Sequence, residues 1–419
     1  MTKAAKTRTS EEISVGEIRA TNELKRILKD AFQGFFPKEG PAPKVAWCTS
    51  VGPAELLIAM GFKVYYPENH GALLGATRLA NEYMGAANAL GYSPDICSYL
   101  TADVGAFLQH QTPLTKAYGI PGVPKPDVLV YNTNQCREVQ DWFMFYARHF
   151  KVPAFGVISP NMVNELEPSQ IDYCAAQLKD LSFALGKIAG ATLDHDRLAE
   201  VVELSRQTSV LWGEFLDFGR HKPAPMTFFD GCIQMAPAVV LRGTKPAVDY
   251  YRLLNDELRA HVARNDAAVK GETVRLYWEG MPLWGKLRYF SETLGGMGAN
   301  AVASTYCNSW VFDDFDAKDP FRSMARAYTE IFINRSEAKK EELMKAMLER
   351  FEIDGVIYHD AKTCPHNSNS RFGMPQRLSA ATGIPHLVMN GDLCDLRCFS
   401  EEQTTTSLEA FVEQLKERN

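Results

Sequence analysis

The chain has 419 residues, 46% apolar and 23% charged, with a net charge of −6, an ordinary globular composition long enough for about two or three domains. No block of Lys or Arg stands out, which argues against a nucleic-acid or anionic membrane partner, and no apolar run approaches the roughly 18 residues of a membrane span. The opening MTKAAKTRTSEE lacks the apolar centre of a secretory signal, so the expected location is cytoplasmic.

In chain order, residues 1–20 read as a polar, mobile tail and ELKRILKDAF (23–32) as a helix. VAWCTS (45–50) reads as a buried strand, and PAELLIAM (53–60) as a helix with Pro53 in its first turn, where a missing N–H costs nothing. FKVYY (62–66) is the next strand, which completes a short βαβ unit. The loop GYSPDIC then leads into a helix at Cys97. DVLVYNTNQC reads as a strand and a loop ending on Cys136, followed by a helical run and the strand VPAFGVIS. Residues 166–270 read as mainly helical, with apolar residues at i, i+3, i+4 spacing.

The second part repeats the first. TVRLYWEG (273–280) is a strand, PLWGKLRYFSETL (282–294) a helix opened by Pro282, and GANAVAST (298–305) a strand. DGVIYHDAKTC is a strand and loop ending on Cys364, followed by a helical run and the strand IPHLVMNGD. SLEAFVEQLKERN closes the chain as a helix. Pro53 and Pro282 stand 229 residues apart, Cys136 and Cys364 228 apart. That nearly common offset predicts a tandem duplication. The expected fold is α/β: two similar parallel-sheet domains, flavodoxin- or Rossmann-like, over 21–165 and 271–419, joined by the helical segment 166–270.

The chain has nine cysteines. Their odd number and the missing export signal argue against a disulfide framework. Cys97, Cys136 and Cys364 each stand at a loop–helix junction. Cys136 and Cys364 also follow parallel strands, where open α/β sheets bind ligands. None of the three forms a C-x-x-C pair, so spacing alone leaves both a dispersed metal site and ordinary buried thiols open. Ser50 and Glu55 flank the end of the first strand. They either cap the helix and offset its dipole or face a ligand, where Glu55 can shuttle a substrate proton. His366, Asn367 and Asn369 either donate to a bound group or cap the helix after Cys364. No G-x-x-x-x-G-K-S/T loop is present, and Gly295, Gly296 and Gly298 read as a helix C-cap turn.

Six stretches run in order over nearly the whole chain: WCTSVGPAELL with VYYPEN; GYSPDICSYLTADVG; NQCREVQDWF; LRGTKPAVDYYRLL; VRLYWEGMPLW with ASTY; and DGVIYHDAKTC through GDLCDLRCFS. In them the chain resembles the family of 2-hydroxyacyl-CoA dehydratases and ATP-dependent benzoyl-CoA reductases. The resemblance implies a 4Fe–4S cluster held by Cys97, Cys136 and Cys364, with one iron left without a protein thiolate. It implies a homologous cluster-bearing subunit as partner, a separate ATP-hydrolysing iron–sulfur activator, and an acyl-CoA thioester as substrate for single-electron chemistry.

The segments around Cys364 and GDLCDLRCFS lean toward an oxidoreductase of the benzoyl-CoA reductase type, which dearomatises its substrate. A 2-hydroxyacyl-CoA dehydratase subunit acting through a ketyl radical is the alternative. A non-catalytic electron relay, or a double-cubane enzyme with Cys48 and Cys307 as added ligands, is a further one. Cys394 and Cys398 are expected in a packed loop, with Asp392, Asp395 and Arg397 forming an ion pair, and Cys174 and Cys232 in the core.

Overall fold

A computed structural model describes residues 18–418, so the expected tail falls almost wholly outside the described residues. Two four-stranded, all-parallel sheets carry the fold. The first contains β1 (Val45–Cys48), β2 (Lys63–Tyr65), β3 (Val128–Asn132) and β4 (Ala154–Val157), in the order β2-β1-β3-β4. The second contains β5 (Val274–Glu279), β6 (Ala299–Ser304), β7 (Gly355–Ala361) and β8 (His386–Gly391), in the order β6-β5-β7-β8. The two orders are the same, as the repeated motifs led one to expect. The central strands β1 and β5 are buried along their whole length; β1 therefore reads as a continuous apolar run, while β5 also buries Arg275 and Glu279, which Glu272 and Thr305 partner.

In each sheet the chain leaves the first strand toward one side and returns on the other. The C-terminal ends of β1 and β3, and of β5 and β7, therefore flank a topological switch point, where loops diverge and leave a crevice. The middle segment forms the expected helices, among them Pro168–Ala189, His195–Asp217, Phe228–Gln234, Ala236–Val240 and Lys245–Ala263. They pack between the sheets. One apolar core runs through Ala46 and Val130 of the first sheet, Leu185 and Trp212 of the middle helices, and Leu276 and Ile357 of the second sheet.

Two helix starts differ from the sequence reading. Pro53 is the N-cap residue, one position ahead of the helix Ala54–Ala59. Pro282 lies outside its helix altogether. The chain stays extended at Leu283, makes a short turn over Trp284–Lys286, and enters the helix only at Leu287. The cause is tertiary: the Trp284 N–H donates to the Leu393 carbonyl at 3.3 Å, so the backbone pairs across to another loop. The glycine turn is as expected, with the helix ending at Gly296 and Gly298 at φ +70° leading into β6. Among the described residues no helix is long and apolar enough to cross a membrane.

Candidate functional site

The three cysteines arrive from three separate loops. Cys97 is the residue before the helix Ser98–Leu108, Cys136 lies two residues before the helix Glu138–Phe150, and Cys364 heads the short turn Pro365–Asn367. A buried relay fixes two of these loops to each other. The Asp392 carboxylate accepts from the Thr363 N–H at 2.8 Å and the Thr363 hydroxyl at 2.6 Å. The Thr363 hydroxyl oxygen in turn accepts from the Ser98 N–H at 3.0 Å. Asp392 also accepts from the N–H groups of Cys394 and Asp395. Asp392 thus serves as a loop anchor, while the expected ion pair is made by Asp395 and Arg397 alone, at 2.7 Å. Asp392→Ala strands these donors in the interior. We expect it to lower stability by about 1–3 kcal/mol and to weaken metal retention; thermal melting and iron content of the purified variant check this, and wild-type values for both would refute the anchoring role.

The three thiols sense one another electrostatically. Burial raises the pKa of each, and Cys136 is raised further by Cys97 and Cys364, as is Cys97 by Cys364. Burial pushes Cys364 up to about 12. Opposing this, the N–H groups of Tyr99 and Leu100 favour a thiolate at Cys97, that of Val139 at Cys136, and that of Asn367 at Cys364. Three half-buried thiols that repel as thiolates, each met by backbone donors, suit a polynuclear cationic centre that deprotonates its ligands.

Among the described residues no group of three or more His, Cys, Asp or Glu side chains is placed to share one metal ion. The buried amide of Gln135, beside Cys136, has Glu68 as its near neighbour and makes no hydrogen bond of full geometry.

A cavity of about 280 Å³ opens beside these loops. Each cysteine loop contributes to its wall: Tyr99 follows Cys97 by two residues, Gln135 precedes Cys136, and Asn367 follows Cys364 by three. Both switch points reach it, through Ser50 and Val51 after β1 and through Met281 after β5. The carboxyl in its wall is Glu68, near the start of the helix Pro67–Ala76. The Ser50 N–H donates to Glu68 Oε2 at 2.5 Å. Burial raises the Glu68 pKa, and the Ser50 backbone and side chain, the Gln135 side chain and Arg242 pull it part of the way back. Cys48 and Tyr306 are the other titratable groups that feel its charge.

Of the residues singled out from sequence, Ser50 and Asn367 face this cavity. Glu55 does not line it. Glu55 is fully buried and accepts from the hydroxyls of Ser205 at 2.6 Å and Tyr328 at 2.5 Å, with Arg242 Nε 3.3 Å away. His366 is exposed. Asn369 bridges Glu279, to which it donates at 2.5 Å, and Lys340, from which it accepts at 3.1 Å. Cys232 is buried as expected, yet it also lines the cavity, next to Cys307. Cys48 is sealed within β1. Cys48 and Cys307 are not among the leading influences on the other three thiols. Sequence reasoning missed Glu68 as a site residue although it stands in the stretch VYYPEN. The available signal was an acid directly after Pro67 at a helix start, past the end of β2.

Comparison with known proteins adds to this geometry. A model of the family described as 2-hydroxyglutaryl-CoA dehydratase, D-component, matches residues 49–415. The (R)-2-hydroxyisocaproyl-CoA dehydratase alpha subunit of Clostridioides difficile is 29% identical over 94% of this chain and 95% of its own length. The (R)-phenyllactyl-CoA dehydratase alpha subunit of Clostridium sporogenes is 27% identical over 95% of this chain and 96% of its own. A benzoyl-CoA reductase subunit of Thauera aromatica is 25% identical over 87% of each chain.

Proposed function

The chain belongs to the family of 2-hydroxyglutaryl-CoA dehydratase D-components, and on that premise we propose that it is the cluster-bearing subunit of a 2-hydroxyacyl-CoA dehydratase, with Cys97, Cys136 and Cys364 as the ligands of a 4Fe–4S cluster. The relatives move the reading from the reductase expected above to the dehydratase, since dehydratase alpha subunits predominate among them. The observation that carries the proposal is the shared wall: each cysteine loop places a residue near its thiol in the lining of one cavity, Tyr99, Gln135 and Asn367, while the thiols themselves stand behind that lining. When bound, such a cluster supplies low-potential single electrons and an iron open to a substrate oxygen. A homologous subunit and a separate ATP-hydrolysing electron donor are the partners this reading requires.

The chain's own residues then have distinct tasks. Dehydration of a 2-hydroxyacyl thioester removes the hydroxyl from C2 and a proton from C3. Glu68 is the carboxyl in the wall, so we assign it that proton. The Ser50 N–H holds Glu68 in place, and burial brings its pKa nearer to neutrality, where a general base works best. To the amides of Gln135 and Asn367, which line the same cavity, we assign the orientation of the thioester. Apolar walls keep bulk water from the reacting carbons.

Glu68→Gln is expected to lower turnover about 100-fold or more, with activity of the wild type rising as pH climbs through the raised carboxyl pKa. The effect on stability has the opposite sign. A carboxyl with a raised folded-state pKa binds its proton more tightly when folded, so its stabilising contribution is present below the ordinary carboxylate range and fades as pH rises through the raised value. The Gln variant should therefore be at least as stable as wild type at neutral pH, and a large drop in melting temperature would contradict the assignment.

The test of the function is anaerobic purification followed by iron and sulfide analysis, with about four of each expected per chain. Electron paramagnetic resonance with added 2-hydroxyacyl-CoA or benzoyl-CoA then separates dehydratase from reductase. A chain without iron refutes the proposal.

A further inference from the structure

Family membership leaves the acyl group open, because the relatives named above differ in it. The cavity is more specific. Its apolar wall is built from Leu28 and Phe32 of the helix Ala20–Gln33, Ala72 and Leu73 of the helix carrying Glu68, Met235 between two of the middle helices, and Val239. Its polar lining includes Ser50, Glu68, Gln135 and Asn367, of which Ser50 and Glu68 are hydrogen-bonded to each other. Among the described residues lining it there is no Lys, Arg or His, and its charged side chain, Glu68, is an acid.

The cation behind the wall is Arg242, and it is already engaged. Its Nε donates to the Tyr328 hydroxyl at 3.0 Å, its Nη1 to the Val239 carbonyl at 2.8 Å, and its Nη2 to the Gly52 carbonyl at 2.9 Å, while Glu55 neutralises its charge. A second carboxylate on a substrate would lie among aliphatic and aromatic side chains without a counter-ion, in the same enclosure as Glu68. Burying a charge unpaired and near one of like sign is opposed on both counts.

We infer that this site takes 2-hydroxyacyl thioesters with an apolar side chain, branched aliphatic or aromatic, and rejects those carrying a second carboxylate, such as 2-hydroxyglutaryl. The inference rests on the acyl-CoA reading above and adds its specificity. Leu73 is a determinant: it is half-buried on the helix that carries Glu68, and it belongs to neither the thiol loops nor the Ser50 loop.

The experiment is calorimetric titration of the full chain, purified anaerobically with its co-assembled subunit. The ligands are saturated, unreactive thioesters: 4-methylpentanoyl-CoA, 3-phenylpropanoyl-CoA and glutaryl-CoA, with free coenzyme A as reference. The apolar thioesters are expected to bind at least about 100-fold more tightly than glutaryl-CoA. Leu73→Lys, whose stem can lie along the wall with its ammonium group inside, should narrow that gap by about tenfold or more, and Leu73→Met should keep it. Glutaryl-CoA binding as tightly as the others overturns the inference and leaves the acyl-CoA reading standing. If none of the thioesters binds more tightly than free coenzyme A, the acyl-CoA reading falls and the inference with it. A gap that Leu73→Lys leaves unchanged overturns the assignment of specificity to this wall.

Discussion

Replacing any one of Cys97, Cys136 and Cys364 by Ala is expected to empty the metal site, with iron falling from about four per chain to a small residue and the visible iron–sulfur absorption lost. Three ligands from three loops leave no redundancy. Removing one frees a whole corner of the centre, and neither of the two cysteines considered as added ligands can replace it. Cys48 is enclosed in β1, and Cys307 sits beside Cys232. Cys307→Ala therefore keeps its iron. The measurement is colorimetric iron and sulfide on anaerobically purified variants. Full iron in either the Cys136 or the Cys364 variant removes the ligand set, and loss of about half of roughly eight irons in the Cys307 variant would restore the double-cluster alternative. Folding should suffer little, because each thiol packs at a loop rim and not inside a sheet.

The largest expected effect on stability lies elsewhere. Glu55→Ala or Arg242→Ala should each cost about 3–5 kcal/mol, read as a shift of the denaturant midpoint, because each strands a buried charge. Both side chains are at most 2% exposed. The network joins three parts of the chain. Glu55 comes from the helix after β1, Ser205 and Arg242 from the middle segment, and Tyr328 from the helix Pro320–Thr329 of the second half. Arg242 also holds the carbonyls of Gly52 and Val239, so its loss loosens two walls of the cavity. Replacing Glu55 and Arg242 together by Leu and Met should cost less than the sum of the single changes, as both charges leave at once. Losses below about 1 kcal/mol in both single variants would show that water or another group relieves the exposed charge.

The contrast between Glu55 and Glu68 shows where sequence reading stopped. Both acids stand in the first turn of a helix that follows a strand of the first sheet. Both fit the same local argument about a switch point and a dipole. Which one faces the crevice depends on what lies behind each helix, and that is set by residues more than a hundred positions away. For Glu55 those are Ser205, Arg242 and Tyr328, which surround it completely. Glu68 meets the Ser50 N–H and the open cavity instead. The same limit applies to Pro282, whose helix start was displaced by a contact with Leu393, and to Asp392, whose partner Thr363 lies on another loop and in turn accepts from Ser98 on a third.

The sequence by itself determined the two parallel sheets with their repeated order, the helical segment between them, and the identity of three cysteines at loop–helix junctions. Strand and helix periodicity, loop residues and the offset between the two halves are local or nearly local patterns, and such patterns are written along the chain. Only the tertiary structure decided that the three cysteine loops border one cavity, that Asp392 ties two of those loops together, that Glu68 and not Glu55 stands in the cavity, and that the cavity is mostly apolar and lacks a cation. Each of these is a meeting of residues far apart in sequence. Burial and pairing there depend on how the two sheets and the middle helices pack around one core, which no single segment carries.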